Sequence, residues 1–245
     1  MHCQPLYQYL VDICSKFNQC CLLCDESTDT GYPLCIACEL ELPWFQHRCT
    51  TCSLPMPRDG LTCIECSLRP PAFSQVEAPW LYGFPVDALV RGFKHQARWP
   101  WGRLLAELLG HWLSARYEQG LPRPHCLLPV PLARGRLRQR GFNQAQILAS
   151  RLSRQLGIRC DPHSLVRTRE TASQQGLDAR QRRSNLHNAF ALAPPSRLAG
   201  LHVALVDDVF TTGATARVIA GLLKREGVAR VDVYCLARTP SPADA

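Results

Sequence analysis

Four consecutive apolar residues, Val203-Ala-Leu-Val206, run straight into two acids and a small, hydroxyl-rich turn. Such a run predicts a buried strand of a parallel sheet. Beyond the turn a helix is expected from Gly213 to Glu226, with Val218, Ile219, Leu222 and Leu223 on one face. Similar units recur upstream. Val76–Tyr82 reads as a strand and Val86–Lys94 as a helix. Trp101–Tyr117 reads as a longer amphipathic helix with Leu104, Leu105, Leu108, Leu109, Trp112 and Leu113 on one side. Leu127–Val130 is a short apolar strand, and Gly141-Phe142-Asn143-Gln144 opens a helix ending near Gly157. Leu201–Val206 and Arg230–Leu236 supply later strands. Strands alternating with helices predict an α/β fold, a parallel sheet flanked by helices.

The turn after Val206 carries candidate chemistry. In Asp207-Asp208-Val-Phe-Thr211-Thr212-Gly213-Ala214-Thr215 two carboxylates stand where a strand ends, and a helix begins a few residues on. The first helical turn leaves backbone N–H groups unpaired, and the helix dipole adds partial positive charge there, which suits a phosphate. Gly213 and Ala214 allow close approach to the backbone, while Thr211, Thr212 and Thr215 offer hydroxyl donors. Asp207 and Asp208 would repel a bare phosphate. They fit a ligand that carries sugar hydroxyls, or a bridging divalent cation, just beyond its phosphate.

The amino-terminal part has another character. Eleven of the fourteen cysteines precede residue 67, and eight form four CxxC pairs, Cys21/Cys24, Cys35/Cys38, Cys49/Cys52 and Cys63/Cys66, repeating every fourteen residues. Two CxxC turns complete a tetrahedral site for one Zn²⁺, so eight thiolates imply two structural ions, each worth on the order of 10 kcal/mol of folding energy. Equal spacers permit sequential or interleaved pairing; sequential pairing, a double zinc ribbon, is expected. A thioredoxin-type reading lacks the βαβ context it requires. The domains expected are an N-terminal segment over 1–20, the double ribbon over 21–67 and an α/β domain over 75–240, with Leu68–Ala72 as linker. Cys126, Cys160 and Cys235 read as small buried apolar residues.

Composition adds two constraints. No apolar run has membrane-spanning length, and the first residues lack a basic n-region, so a cytoplasmic protein without membrane insertion is expected. The net charge of +8 is concentrated: from Arg134 to Arg183 twelve arginines face three acids, a local +9. Planar bidentate donors at that density suit polyphosphate or nucleic acid. Aromatics near them are few, essentially Phe142 and Phe190, so stacking platforms for single strands are thin.

The segment around Asp207–Thr215 resembles the phosphoribosyl-pyrophosphate (PRPP) motif of type I phosphoribosyltransferases. Pro129-Val-Pro131, Arg140-Gly-Phe-Asn-Gln144, Arg167-Thr-Arg-Glu-Thr171-Ala-Ser-Gln174, Leu177, Arg182 and Asn185 extend the resemblance. With the cysteine pairs, nearly the whole chain from Cys21 to Arg238 is similar to the ComF family (ComFC- or GntX-like), which joins a zinc ribbon to a type I phosphoribosyltransferase fold. The resemblance implies that Thr211, Thr212, Gly213, Ala214 and Thr215 hold the 5′-phosphate of PRPP. It implies that Asp207 and Asp208 hold the ribose diol and help position Mg²⁺. Arg140, Arg167 and Arg182 would neutralise pyrophosphate, with Pro131–Arg140 as the pyrophosphate loop and Arg167–Asn185 as a lid. Lys94, in Arg91-Gly-Phe-Lys94, matches a basic position of the family. The resemblance implies a transferase with an unknown acceptor, tied to DNA uptake. The alternatives are a silent PRPP- and single-stranded-DNA-binding scaffold working with the uptake machinery, or a sensor of nucleotide supply. No base-reading constellation is legible; the ribbons and the Pro79–Arg103 segment are the places where one would lie.

Overall fold

The computed structural model describes residues 20–28, 30–168, 189–194 and 197–240. Two short helices come first, α1 (Ile36–Leu40) and α2 (Ile64–Leu68), each starting beside a CxxC pair. Next come β1 (Gln75–Glu77), β2 (Trp80–Leu81), α3 (Val86–Gln96), α4 (Trp99–Glu118), β3 (Cys126–Pro129) and α5 (Arg134–Arg140). They are followed by α6 (Gln144–Leu156), β4 (Arg159–Cys160), β5 (Leu165–Arg167) and β6 (Phe190–Leu192). The chain then forms β7 (His202–Val206), β8 (Val209–Phe210), α7 (Ala214–Arg225), β9 (Arg230–Tyr234) and β10 (Ala237–Arg238).

The main sheet has the order β1-β9-β7-β3-β4, and every neighbouring pair is parallel. All five residues of β7 are buried, as the apolar run predicts for a strand covered on both faces. Alternation along the strands divides the core in two. Ala204, Val206 and Leu127 pack with the leucines of α4 and α6, whereas Val203, Leu205, Val231 and Val233 pack with Ile219 and Leu223 of α7.

Three adjacent strands break at one level and resume in a second, smaller parallel sheet of order β2-β10-β8. The stretch expected as one strand, Val76–Tyr82, is therefore two, and Arg230–Leu236 is shortened to β9, with β10 beyond it. In the first case Pro79 lacks the N–H that a continuous ladder needs. The same break in the central strand falls on Asp207-Asp208. Asp207 N–H donates to Tyr234 O at 3.0 Å and Leu236 N–H to Asp208 O at 2.9 Å, so the backbones stay joined across the step.

The free edge of the sheet is covered by the cysteine-rich segment. Val76 N–H donates to Thr51 O at 2.9 Å, Leu81 N–H to Pro43 O at 2.9 Å, and Arg48 Nη1 to Ala78 O at 2.9 Å. These bonds satisfy groups an edge strand would otherwise present to another chain. Pro131–Arg140, expected as a loop, is helical from Arg134, closed by Gly141 in the left-handed region (φ 78°). Helices α3 and α4 approach closely: a Cβ on Gly92 would lie 2.3 Å from the Trp101 ring, and one on Gly102 would lie 2.4 Å from Phe93. Among the described residues no helix is long and apolar enough to cross a membrane.

Candidate functional site

The site forms at the C-terminal ends of the parallel strands, where the step in β7 leaves two side chains to be placed by hydrogen bonds. Asp207 Oδ1 accepts the Asp208 N–H at 2.9 Å, and Asp208 Oδ1 accepts the Val209 N–H at 2.7 Å. The second oxygen of Asp208 is shared. Lys94 Nζ lies 2.8 Å from Oδ2, and Gln144 Nε2 donates to it at 2.9 Å. Gln144 Oε1 in turn accepts from Arg140 Nη1 at 2.9 Å. Four residues from β7–β8, α3, α5 and α6 thus form one connected polar array.

Each position follows from local structure. The α3–α4 contact carries Lys94 to the C-terminal end of the central strand β7. Asn143 caps α6: its Oδ1 accepts the Ala145 N–H at 3.1 Å, and its Nδ2 donates to Val130 O at 3.0 Å. That bracing aims Gln144, buried at the first helical position, toward Asp208. Gly141 turns the chain between Arg140 and this cap.

The threonine turn completes the site. Asp207, Val209, Phe210, Thr211, Thr212, Gly213, Ala214 and Thr215 line one cleft, roofed by Val130. Gly213 is the N-cap of α7 at φ 71°, and a Cβ there would lie 2.5 Å from the Phe210 ring. The expected helix start is therefore correct, and only glycine satisfies both demands.

Electrostatics agree with this geometry. Burial, with the neighbouring Asp208 charge, pushes the Asp207 carboxyl up to about 7, against the pull of Lys94 and Arg167. Burial draws the Arg140 guanidinium below its ordinary value while the Asp208 charge opposes that shift. Arg167, also lowered chiefly by burial, lies over the Phe190 ring at 5.3 Å on the antiparallel β5–β6 pair. The structure thus brings Lys94, Arg140, Arg167, Asp207, Asp208 and Thr211–Thr215 to one end of the sheet. Arg182 and most of the expected lid lie outside the described residues. Sequence reading did not assign Gln144 to the site. A polar residue opening an otherwise apolar helix face was the signal for Gln144.

The cysteines gather into two groups, Cys21, Cys24, Cys35 and Cys38, and Cys49, Cys52, Cys63 and Cys66, with the four sulfurs of each within 4.8 Å of one another. This is the sequential pairing. Cys24 and Cys35 sulfurs are 3.7 Å apart, and those of Cys52 and Cys63 are 3.6 Å apart. A tetrahedral zinc–thiolate centre with bonds of about 2.3 Å requires sulfurs roughly 3.8 Å apart, so both groups fit the ion. Burial opposes ionisation of Cys21, but N–H groups of Cys35, Leu23 and Cys24 outweigh it and hold the thiol down to about 6. Cys49 is held at about 7 in the same way, burial being outweighed by N–H groups of Cys63, Cys52 and Thr51. The second group is wholly buried, whereas Cys24 of the first is exposed. Cys126 and Cys235 are buried as expected, and Cys160 only partly.

The family model described as phosphoribosyl transferase domain matches residues 138–245. The chain is 42% identical over 172 residues to the DNA utilization protein YhgH of Salmonella typhi, covering 70% of this chain and 75% of that protein. It is 39% identical over 172 residues to competence protein F of Haemophilus influenzae, covering 69% and 74%. Competence protein ComFC of Bacillus subtilis is 32% identical over 129 residues, covering 51% and 50%.

Proposed function

Since this chain belongs to the ComF family of phosphoribosyltransferase-fold proteins, we propose that it binds PRPP in the cleft between the Asp207–Asp208 step and the N-terminus of α7. The observation that carries this reading is one cleft lined by the Asp207 carboxylate and a threonine turn at a helix start, with the Asp208 carboxylate beside it held by Lys94 and Gln144. The turn takes the 5′-phosphate through amide and hydroxyl donors. The acids take the ribose hydroxyls, and Asp207 with the ligand's own phosphates offers the hard oxygen donors that Mg²⁺ prefers. That ion would spread the charge of the pyrophosphate. Lys94, Arg140, Arg167 and Arg182 supply the remaining cations. The cysteine groups hold two structural Zn²⁺ ions. The chain divides into a segment over 1–20, a double ribbon over 21–67 and a transferase-like domain over 75–240.

Transfer breaks the bond between ribose C1 and the pyrophosphate oxygen, and the acceptor nucleophile forms the new bond at C1. Catalysis requires a fixed 5′-phosphate and a neutralised leaving group, because positive charge develops on the ribose and negative charge on the departing oxygen. The acceptor is a base, an amine or a nucleic-acid end, in a cytoplasmic role tied to DNA uptake. Calorimetric titration with PRPP and Mg²⁺ tests the ligand. The Asp207→Asn/Asp208→Asn double variant must lose affinity; unchanged binding removes the ribose assignment. Pyrophosphate release on adding acceptors tests turnover.

A second reading, a non-catalytic PRPP- and single-stranded-DNA-binding scaffold, draws on α5. Arg134 and Arg138 are exposed on it, and Arg140 at its end joins the Asp208 array. Tight PRPP binding without release in the presence of DNA, together with salt-sensitive DNA affinity, would favour the scaffold.

A further inference from the structure

Resting on the phosphate-binding reading of the Thr211–Thr215 turn, we propose that Arg238 is the positioning residue of that turn, setting its amide geometry from the backbone of the second cysteine centre. Arg238 is 7% exposed, and its partners are carbonyl oxygens and one hydroxyl. Nε donates to Cys52 O at 3.0 Å. Nη1 donates to Thr211 O at 2.7 Å, Phe210 O at 3.3 Å, Thr239 Oγ1 at 3.2 Å and the Thr239 carbonyl. The guanidinium also lies 5.2 Å from the centre of the Phe210 ring, the ring that meets Gly213.

A guanidinium buried against carbonyls is an expensive way to fill space, and among the described residues no carboxylate forms an ion pair with it. Its geometry has a directional consequence. In a trans peptide the C=O and the following N–H point in opposite directions within one plane. Drawing the Phe210 and Thr211 carbonyls toward Arg238 therefore turns the Thr211 and Thr212 N–H groups away from it. Both residues line the cleft. Arg238, together with the Thr239 N–H that donates to Phe210 O at 3.1 Å, thereby orients two of the amides that a phosphate would meet.

The other end of the strut is the Cys49–Cys52 knuckle. Its sulfurs share one apolar cluster with Phe73, Phe210 and Ala214. Two further contacts follow the same route: Phe73 meets Phe210 edge-on at 5.8 Å, and Arg217 of α7 donates to Arg69 O at 2.8 Å. In the first group Cys21, Cys35 and Cys38 instead pack in the cluster that holds the leucines of α4, and Tyr32 nearby meets the His111 ring of α4 tilted at 5.6 Å. Only the second centre is built into the floor of the turn.

Arg238→Lys and Arg238→Met separate this from general packing. Lysine keeps the charge but is a point donor and cannot span Cys52 and Thr211 together. Expected for both is a PRPP dissociation constant raised by roughly tenfold or more, the scale of one lost charge-assisted bond to phosphate. Metal content per chain and far-UV circular dichroism should stay as in the parent. The amide ¹H–¹⁵N chemical shifts of Thr211 and Thr212 should move without a matching change in the core of β7. Parent-like affinity in the variants while the parent binds PRPP overturns the positioning role, as do unchanged shifts at those amides. Failure of the parent itself to bind PRPP overturns the ligand reading instead, and the chemical-shift measurement still decides the role of Arg238. If Arg238→Met does not fold, Arg238→Lys carries both measurements.

Discussion

Lys94 Nζ and Asp208 Oδ2, from a helix and from the step in the central strand, lie 2.8 Å apart with both side chains largely shielded from water. Asp208 accepts from Gln144 and the Val209 amide as well, so its charge is compensated before any ligand arrives. Lys94 is thus a support for the step and, once an anionic ligand enters, a cation that the ligand competes for.

Lys94→Met leaves the Asp208 carboxylate with its hydrogen bonds and only the Arg140 guanidinium, one residue further along the array, as counter-charge. A loss of about 2 kcal/mol is expected, below the value for a fully buried pair because Lys94 retains some access to water. Adding Asp208→Asn should recover part of it. Urea denaturation of the single and double variants measures the coupling.

The ligand-free protein should lose stability as pH rises. Asp207 ionises near 3.8 in the unfolded chain but at about 7 in the fold, so the fold holds an extra proton between those values. Its contribution is full below the unfolded value and is lost as pH rises through 7. The parent should fall by on the order of 2 kcal/mol between pH 5 and pH 8 relative to Asp207→Asn. Denaturant midpoints of the two proteins at both pH values check the difference.

Gly213→Ala meets two obstacles at once, a positive φ and the Phe210 ring. Destabilisation of about 2–4 kcal/mol is expected from backbone strain and overpacking together. Adding Phe210→Leu should relieve the packing part and leave the backbone part. Thermal unfolding of the three proteins separates the contributions.

The two cysteine centres should release metal at different rates. Cys24 is exposed and Cys35 and Cys38 are partly so, while every ligand of the second group is buried. With a chelator in excess, zinc release followed by an indicator dye should be biphasic. Cys24→Ser should abolish the fast phase and leave the slow one.

The α/β fold, the helix after Gly213 and the eight paired cysteines were legible because each is written in short-range spacing. Four apolar residues, two acids and a glycine turn describe their own strand, step and helix start. Other features were misread for local reasons: Val76–Tyr82 is apolar enough for one strand, and only the pairing of Trp80–Leu81 with β10 shows it to be two. Pro131–Arg140 carried no clear helical pattern, yet Arg134–Arg140 coils, closed by Gly141.

Sequence alone determined which residues could bind metal and where a small, hydroxyl-rich turn opens a helix, since CxxC geometry and a helix N-terminus are properties of a few adjacent residues. Equal ten-residue spacers left the cysteine pairing open, and only the folded chain chose between the two arrangements. The same holds for Lys94 against Asp208, and for Arg238 reaching Cys52 across 186 residues. Such contacts depend on which strands become neighbours, and that is decided by the burial of both sheet faces at once rather than by any local run of side chains.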